Sequence, residues 1–201
     1  MREGIIFIIS GPSGGGKTTL VQKALKLVDN LEFSVSCTTR ARREGETDGI
    51  DYRFVSQDEF RKMIKNGEFA EYAEVHDNLY GTPLAEFERA RRSGVDLILD
   101  IDVQGARQIR EKYESAVFCF VLPSSFGILK ERLIKRQSDD KKDIEKRLTA
   151  ARQEIEDIDY YDYIIVNDSL DEALTSITSV INAARCESER VMVRINKDYF
   201  S

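Results

Sequence analysis

The 201-residue sequence is poor in several features that would place it elsewhere. Its three cysteines, Cys37, Cys119 and Cys186, lie far apart and form no C-x-x-C pair. That argues against a disulfide framework or a zinc site and fits reduced thiols. Cys119, inside the apolar run 117–122, reads as a buried small hydrophobe. The single histidine, His76, has no partner at ligand spacing and reads as a surface residue at a strand end. There are only three prolines, Pro12, Pro83 and Pro123, and no repeat or low-complexity tract, so no Pro-rich linker divides the chain. The longest apolar runs, 5–9 and 117–122, fall far short of the ~20 residues a membrane-spanning helix needs. Met1-Arg2-Glu3-Gly4 carries neither an apolar region nor a cleavage site, and a cytoplasmic location is expected. A net charge of −6 lacks the basic footprint of a general nucleic-acid binder.

What is present, 41% hydrophobic and 33% charged residues, suits one globular domain with a substantial core. Strand-like runs at 5–10, 33–38, 96–101, 116–122 and 163–166 alternate with helical patterns. This predicts an α/β fold, a mostly parallel central sheet flanked by helices. Thr82-Pro83 reads as an N-cap followed by a first-turn proline, opening a helix to Ser93 that Gly94 stops. Ser56 with Glu59 and Ser169 with Glu172 form capping boxes, and Asn66-Gly67 ends the first of these helices. Segment 34–82, with short polar strands at 51–56 and 68–76, reads as a small insertion beside the sheet. Segment 124–152 is crowded with charge, notably at 135–142, and reads as a solvated helical face or, more sharply, a lid. The core is then 1–33, 83–123 and 153–201. Residues 190–195 alternate like an edge strand and suggest no function.

Gly11-Pro12-Ser13-Gly14-Gly15-Gly16-Lys17-Thr18 matches G-x-x-x-x-G-K-[ST], directly after a strand and before a helical stretch at 19–28, the context this phosphate loop requires. Its glycines let backbone N–H groups and a helix N-terminus surround phosphate oxygens. Lys17 adds charge toward the β- and γ-phosphates, and Thr18 offers a hydroxyl to Mg²⁺. Farther on, an apolar strand ends in Asp100-Ile101-Asp102. Period-two geometry puts both carboxylates on one side, at the sheet end where ligands gather, so that either reaches a metal shell or the acceptor; a helix cap or turn is the alternative.

The loop alone leaves the acceptor open among water, a small metabolite and a nucleotide. Ser36, Arg40 and Arg43 follow a strand-like run, and paired arginines suit a phosphate dianion. Tyr52 and Tyr80 add hydroxyls. Glu71, on an alternating strand, would accept two N–H bonds from the N1-H and 2-amino edge of guanine and repel the acceptor edge of adenine. Taken singly, each of these is better read as ordinary surface.

Together, the GPSGxGK loop, Ser34-Val35-Ser36-Cys37-Thr38-Thr39-Arg40, Arg43, Gly45-Glu46, Gly49-Ile50-Asp51-Tyr52-Arg53-Phe54-Val55, Gly67-Glu68-Phe69-Ala70-Glu71, Tyr80-Gly81-Thr82, the run 98–105 and Val166-Asn167-Asp168 resemble guanylate kinases across nearly the whole chain. The resemblance implies transfer of the γ-phosphoryl group of ATP to GMP, with dGMP as a further acceptor and Mg²⁺ as cofactor. It places ATP on Gly11, Pro12, Ser13, Gly14, Gly15, Gly16, Lys17, Thr18 and Thr19, with the lid arginines Arg136 and Arg147 over its phosphates and Asn167 at adenine. It gives GMP to Ser36, Glu71 and Thr82 at the base, to Arg40, Arg43, Tyr52 and Tyr80 at the phosphate, and to Asp100 and Asp102 at the junction with Mg²⁺. Thr18 and Asp100 are the implied metal neighbours. Lys17, Arg40, Arg43, Arg136 and Arg147 are the implied catalytic cations.

Three departures stand out. Arg42 replaces the usual proline between the two phosphate-binding arginines, Cys37 replaces alanine or serine, and Gln137-Ser138-Asp139 replaces Gly-Thr-Asp. None removes a group the chemistry needs. Non-catalytic protein-binding modules share the resemblance, but they typically lose loop or acceptor residues that are intact here. A kinase for another monophosphate is disfavoured by Ser36 and Glu71. The partners expected are ATP and GMP, without nucleic acid, membrane or obligate protein partner; a homodimer is left open.

Overall fold

The structure is a computed structural model and describes residues 3–75, 77–135, 141–192 and 195. The first half of the chain forms β1 (Ile6–Ser10), α1 (Lys17–Leu27), β2 (Leu31–Phe33), β3 (Cys37–Thr38), β4 (Arg53–Phe54), α2 (Gln57–Lys65), β5 (Phe69–Val75), β6 (Asn78–Pro83) and α3 (Leu84–Ser93). The second half forms β7 (Asp96–Asp100), α4 (Val103–Lys112), β8 (Val117–Leu122), α5 (Phe126–Lys135), α6 (Lys141–Ile155), a 3₁₀ turn (Ile158–Tyr160), β9 (Tyr163–Val166), α7 (Leu170–Arg185) and α8 (Ser188–Met192). The predicted α/β architecture is the one observed. A five-stranded sheet runs β2-β7-β1-β8-β9, every neighbouring pair parallel.

The sequence of β1 explains the layering. All five residues are buried, and alternation sends Phe7 and Ile9 to one face and Ile6 and Ile8 to the other. Phe7 and Ile9 pack with Leu20, Val21 and Ala24 of α1 and with Ile177 and Ile181 of α7. Ile6 and Ile8 pack with Phe87 and Ala90 of α3 and with Ala106 and Ile109 of α4. At about 1.5–3 kcal/mol for each large side chain fully buried, these two clusters hold the sheet between its helices. Parallel strands then deliver their carboxyl ends, Ser10, Asp100, Leu122 and Val166, to one edge of the molecule.

A second sheet, β4-β3-β6-β5, stands beside the first. It has a smaller core of Cys37, Phe60 and Phe69, with Phe60 and Phe69 stacked at 4.5 Å between centroids. Helices α5 and α6 meet through Leu129, Leu133 and Ala151.

Several sequence expectations change. The run 33–38 is split: Leu31–Phe33 joins the central sheet, and after Ser34 donates its N–H to Ile98 O at 3.0 Å the chain crosses to the second sheet as Cys37–Thr38. Only Arg53–Phe54 of 51–56 is strand, because Ser56 turns to cap α2, its hydroxyl accepting from Glu59 N at 3.2 Å. Thr82 is not an N-cap. It lies buried in β6, opposite Glu71 of β5, and α3 starts one residue after Pro83; Gly94 stops it as predicted, at φ 71°. Asp100 and Asp102 are not related by strand alternation, since β7 ends at Asp100 and Asp102 caps α4 by accepting from Gly105 N at 2.9 Å. Residues 190–192 are helical rather than edge strand, because Arg190 and Val191 both donate backbone N–H groups to Glu187 O. His76 lies outside the described residues. Among these residues, no helix is long and apolar enough to cross a membrane.

Candidate active site

The glycine loop leaves β1 at Gly11 and enters α1 at Lys17. Gly16 is the N-cap residue, left-handed at φ 87°; having no side chain, it leaves α1 without a side-chain cap, and the first N–H groups of α1 are unclaimed by the helix. A Cβ there would also run into the Asn167 amide. Asn167, buried just past β9, donates from Nδ2 to Gly15 O at 2.8 Å, and its own carbonyl accepts from Arg132 of α5 at 2.8 Å. Lys17 folds back so that Nζ donates to Gly11 O at 2.5 Å and Pro12 O at 3.2 Å. Thr18 donates its hydroxyl to Asp100 Oδ2 at 2.7 Å, joining the loop to the end of β7.

Across the cleft, register between β5 and β6 sets Glu71 opposite Thr82. Thr82 donates to Glu71 Oε1 at 2.6 Å, and Ser36 Oγ lies 3.2 Å from Thr82 Oγ1. Since the one proton of Thr82 goes to Glu71, Ser36 is the donor in the second link. Glu71 is 3% exposed, and burial pushes its carboxyl from an ordinary 4.5 up to about 7, with Asp102 adding to the rise and the Thr82 hydrogen bond opposing it. Its Oε2 faces Gly105, where any Cβ would collide with the carboxylate. Arg40 donates from Nε to Tyr80 Oη at 3.2 Å, stands 5.5 Å from the Tyr52 ring centroid and forms a two-pronged pair with Glu46. Burial raises the Tyr52 hydroxyl to about 12, so it remains a neutral donor at physiological pH.

These groups line two adjoining clefts. One, of about 270 Å³, runs from Gly11, Ser13, Gly14, Gly16 and Lys17 to Ser36, Glu71, Tyr80 and Asp102. The other, of about 910 Å³, holds Arg40, Arg43, Glu46 and Arg147. Thr18, Thr19, Tyr52 and Asp100 line both. Pro12 and Gly15 shape the loop through a hydrogen bond from Gly15 N to Pro12 O at 2.9 Å. Of the predicted residues, Arg136 lies outside those described.

Three residues in the site had no role in the sequence reading. Glu154 of α6 lines the smaller cleft, with Oε2 buried and unpartnered among the described residues; burial raises its carboxyl. It follows Arg147 by seven residues, two helical turns, so a helical-face count from Arg147 would have found it. Arg132 had no motif to mark it. Glu46 sat inside the Gly45-Glu46 motif, and its role needed the fold.

Strand, glycine loop and uncapped helix, set at the carboxyl edge of a parallel sheet with an acidic strand end beside them, define a P-loop nucleotide-binding protein. Comparison narrows the class. The family profile described as Guanylate kinase matches residues 4–184. A guanylate kinase of Geobacter metallireducens is 50% identical over 198 residues, 98% of each chain, and one of Thermotoga maritima is 44% identical over 98% of this chain and 92% of its own. The crystal structure of guanylate kinase from Anaplasma phagocytophilum superposes with a TM-score of 0.79 at 36% identity, covering 94% of this chain and 90% of that one. The chain belongs to the guanylate kinase family.

Proposed function

We propose that the protein transfers the γ-phosphoryl group of ATP directly to GMP, giving ADP and GDP, with Mg²⁺ as cofactor and dGMP as a second acceptor. The supporting observation is that one cleft has the phosphate loop at one end and a buried carboxylate with two neighbouring hydroxyls at the other. The loop N–H groups and Lys17 suit the donor's phosphates, and ionised Glu71 suits the N1-H and 2-amino edge of guanine. Arg40, Arg43, Tyr52 and Tyr80 would take the acceptor phosphate, and Arg147 of α6, in the lid segment 124–152, would close over the phosphates of ATP. On this reading 34–82 is the GMP-binding unit, and the remainder is the core.

Thr18 Oγ1 and Asp100 Oδ2, 2.7 Å apart beside the loop, are hard oxygen donors of the kind Mg²⁺ takes. No cluster of three or more His, Cys, Asp or Glu residues suited to a metal occurs among the described residues, which matches an ion held mainly by water and phosphate. When bound, it neutralises phosphate charge. The chain's own contribution is positioning and fixed positive charge. The acceptor is a phosphate oxygen with a second pKa near ~6, largely ionised at neutral pH, so no general base is needed.

The test is ADP formation from ATP and Mg²⁺ with no acceptor, GMP, dGMP, AMP or UMP, with chelator controls. GMP and dGMP should support turnover, and ATP alone should give almost none. Lys17→Ala should lower kcat by about a thousandfold. Turnover as rapid without GMP, or with AMP, would overturn the assignment.

A further inference from the structure

We propose that Glu46 is a positioning residue: it joins Arg40 and Arg43 into one rigid cradle and thereby sets the affinity for the phosphate of the acceptor nucleotide. The inference rests on the reading above, that these arginines receive that phosphate.

The geometry around Glu46 is specific. Its Oε1 accepts from Arg40 NH2 at 2.7 Å, and its Oε2 accepts from Arg40 NH1 at 3.1 Å and from the backbone N–H of Arg43 at 2.8 Å. One carboxylate therefore fixes the side chain of one arginine and the backbone of the other. Arg40 also donates from NH1 to Ala41 O at 2.7 Å and from Nε to Tyr80 Oη. A guanidinium has five N–H groups, and four are engaged here. The fifth, on NH2, remains, and the ring faces of Tyr52 and Phe54 lie 5.5 and 5.8 Å away. Arg40 and Glu46 side chains are only 13% and 19% exposed. Among the described residues the Arg43 guanidinium makes no hydrogen bond or ion pair, so Glu46 sets where its backbone starts and leaves its charge available. The neighbouring guanidinium of Arg40 holds the Glu46 carboxyl below the usual carboxylate range, which keeps it ionised at neutral pH.

Charge alone predicts the opposite effect from positioning. A carboxylate beside a phosphate dianion repels it, so by Coulomb's law deleting Glu46 should tighten GMP binding. If Glu46 instead holds a flexible arginine in the orientation a dianion needs, deletion weakens binding despite the repulsion relieved, because the ordering of the side chain must then accompany binding. The sign of the change separates the two.

Calorimetric titration of GMP and of guanosine into wild type, Glu46→Gln and Glu46→Ala, with Tm recorded for each, gives that sign. We expect GMP to weaken about tenfold in Glu46→Gln and further in Glu46→Ala, with guanosine unchanged within twofold. In turnover the rise should fall on KM for GMP and not on KM for ATP. Unchanged or tighter GMP binding by folded Glu46→Gln overturns the proposal, as does a parallel loss of guanosine binding, the mark of a merely structural role. Wild type that binds GMP no better than guanosine removes the phosphate-site reading itself, and this inference with it.

Discussion

The phosphate loop and the wall that faces it are built from different materials. Residues 11–18 are contiguous and act mainly through backbone N–H and carbonyl groups, with Lys17 and Thr18 as the side chains that matter. The facing wall draws Ser36, Arg40, Glu46, Glu71, Tyr80 and Thr82 from a stretch of nearly fifty residues and acts through side chains held by strand register. A backbone site requires only residue types that permit one shape. A side-chain site requires partners that only the fold supplies, so substitutions in the two regions should damage different steps.

Glu71→Gln is expected to have the largest effect on that division. Glutamine keeps the size but turns an N–H donor toward guanine's donors, so kcat/KM for GMP should fall about a hundredfold, or about 2.7 kcal/mol, while KM for ATP stays within twofold. Equal losses for both substrates in steady-state kinetics would show that the two walls work as one unit. Gly16→Ala tests the other side. A left-handed φ of 87° costs a non-glycine residue about 1–3 kcal/mol, and the added Cβ meets Asn167. ATP affinity should drop about tenfold and Tm should fall, with GMP affinity unmoved, as read by titration calorimetry.

The smallest effect sharpens the contrast through pH. The Glu71 carboxyl, raised from 4.5 to about 7, is protonated more readily in the folded chain than in the unfolded one. It therefore contributes stability that is fully present below pH 4.5 and is lost as pH rises through 7. On the proposed reading guanine requires the ionised form, so binding near pH 7 should release about half a proton, and guanosine affinity should rise about threefold from pH 6.5 to 7.5. Guanosine is the right probe because it has no phosphate to titrate. Calorimetry in buffers of different ionisation enthalpy reads the proton, and Glu71→Gln should remove it.

The same contrast explains what was legible in the sequence. The loop, the α/β class and the parallel strands were readable because glycine spacing and apolar alternation are local facts. The Thr82 cap was misread because Thr-Pro before a helical stretch has the same local signature whether the threonine caps the helix or ends a strand. Only the pairing of β5 with β6 shows that its hydroxyl serves Glu71. For Asp102 the cap alternative holds and strand alternation does not, since the chain turns into α4 after Asp100. Glu46 had no visible role, because its value lies in three donors that the turn 40–46 gathers around it. Glu154 shares a helical face with Arg147 and was open to a count along α6, but that this face meets the cleft depends on how α6 packs against α5.

The two buried thiols sit in different bodies of the molecule, Cys37 in the small sheet and Cys119 in the central one, with burial raising them to about 11 and 12. Neither offers a thiolate at neutral pH, whereas Cys186, at the end of α7, is exposed. A thiol reagent therefore finds Cys186 in the native fold. Labelling at Cys37 marks local opening of the small sheet, and labelling at Cys119 marks opening of the core, so the chain contains two internal clocks for its own partial unfolding.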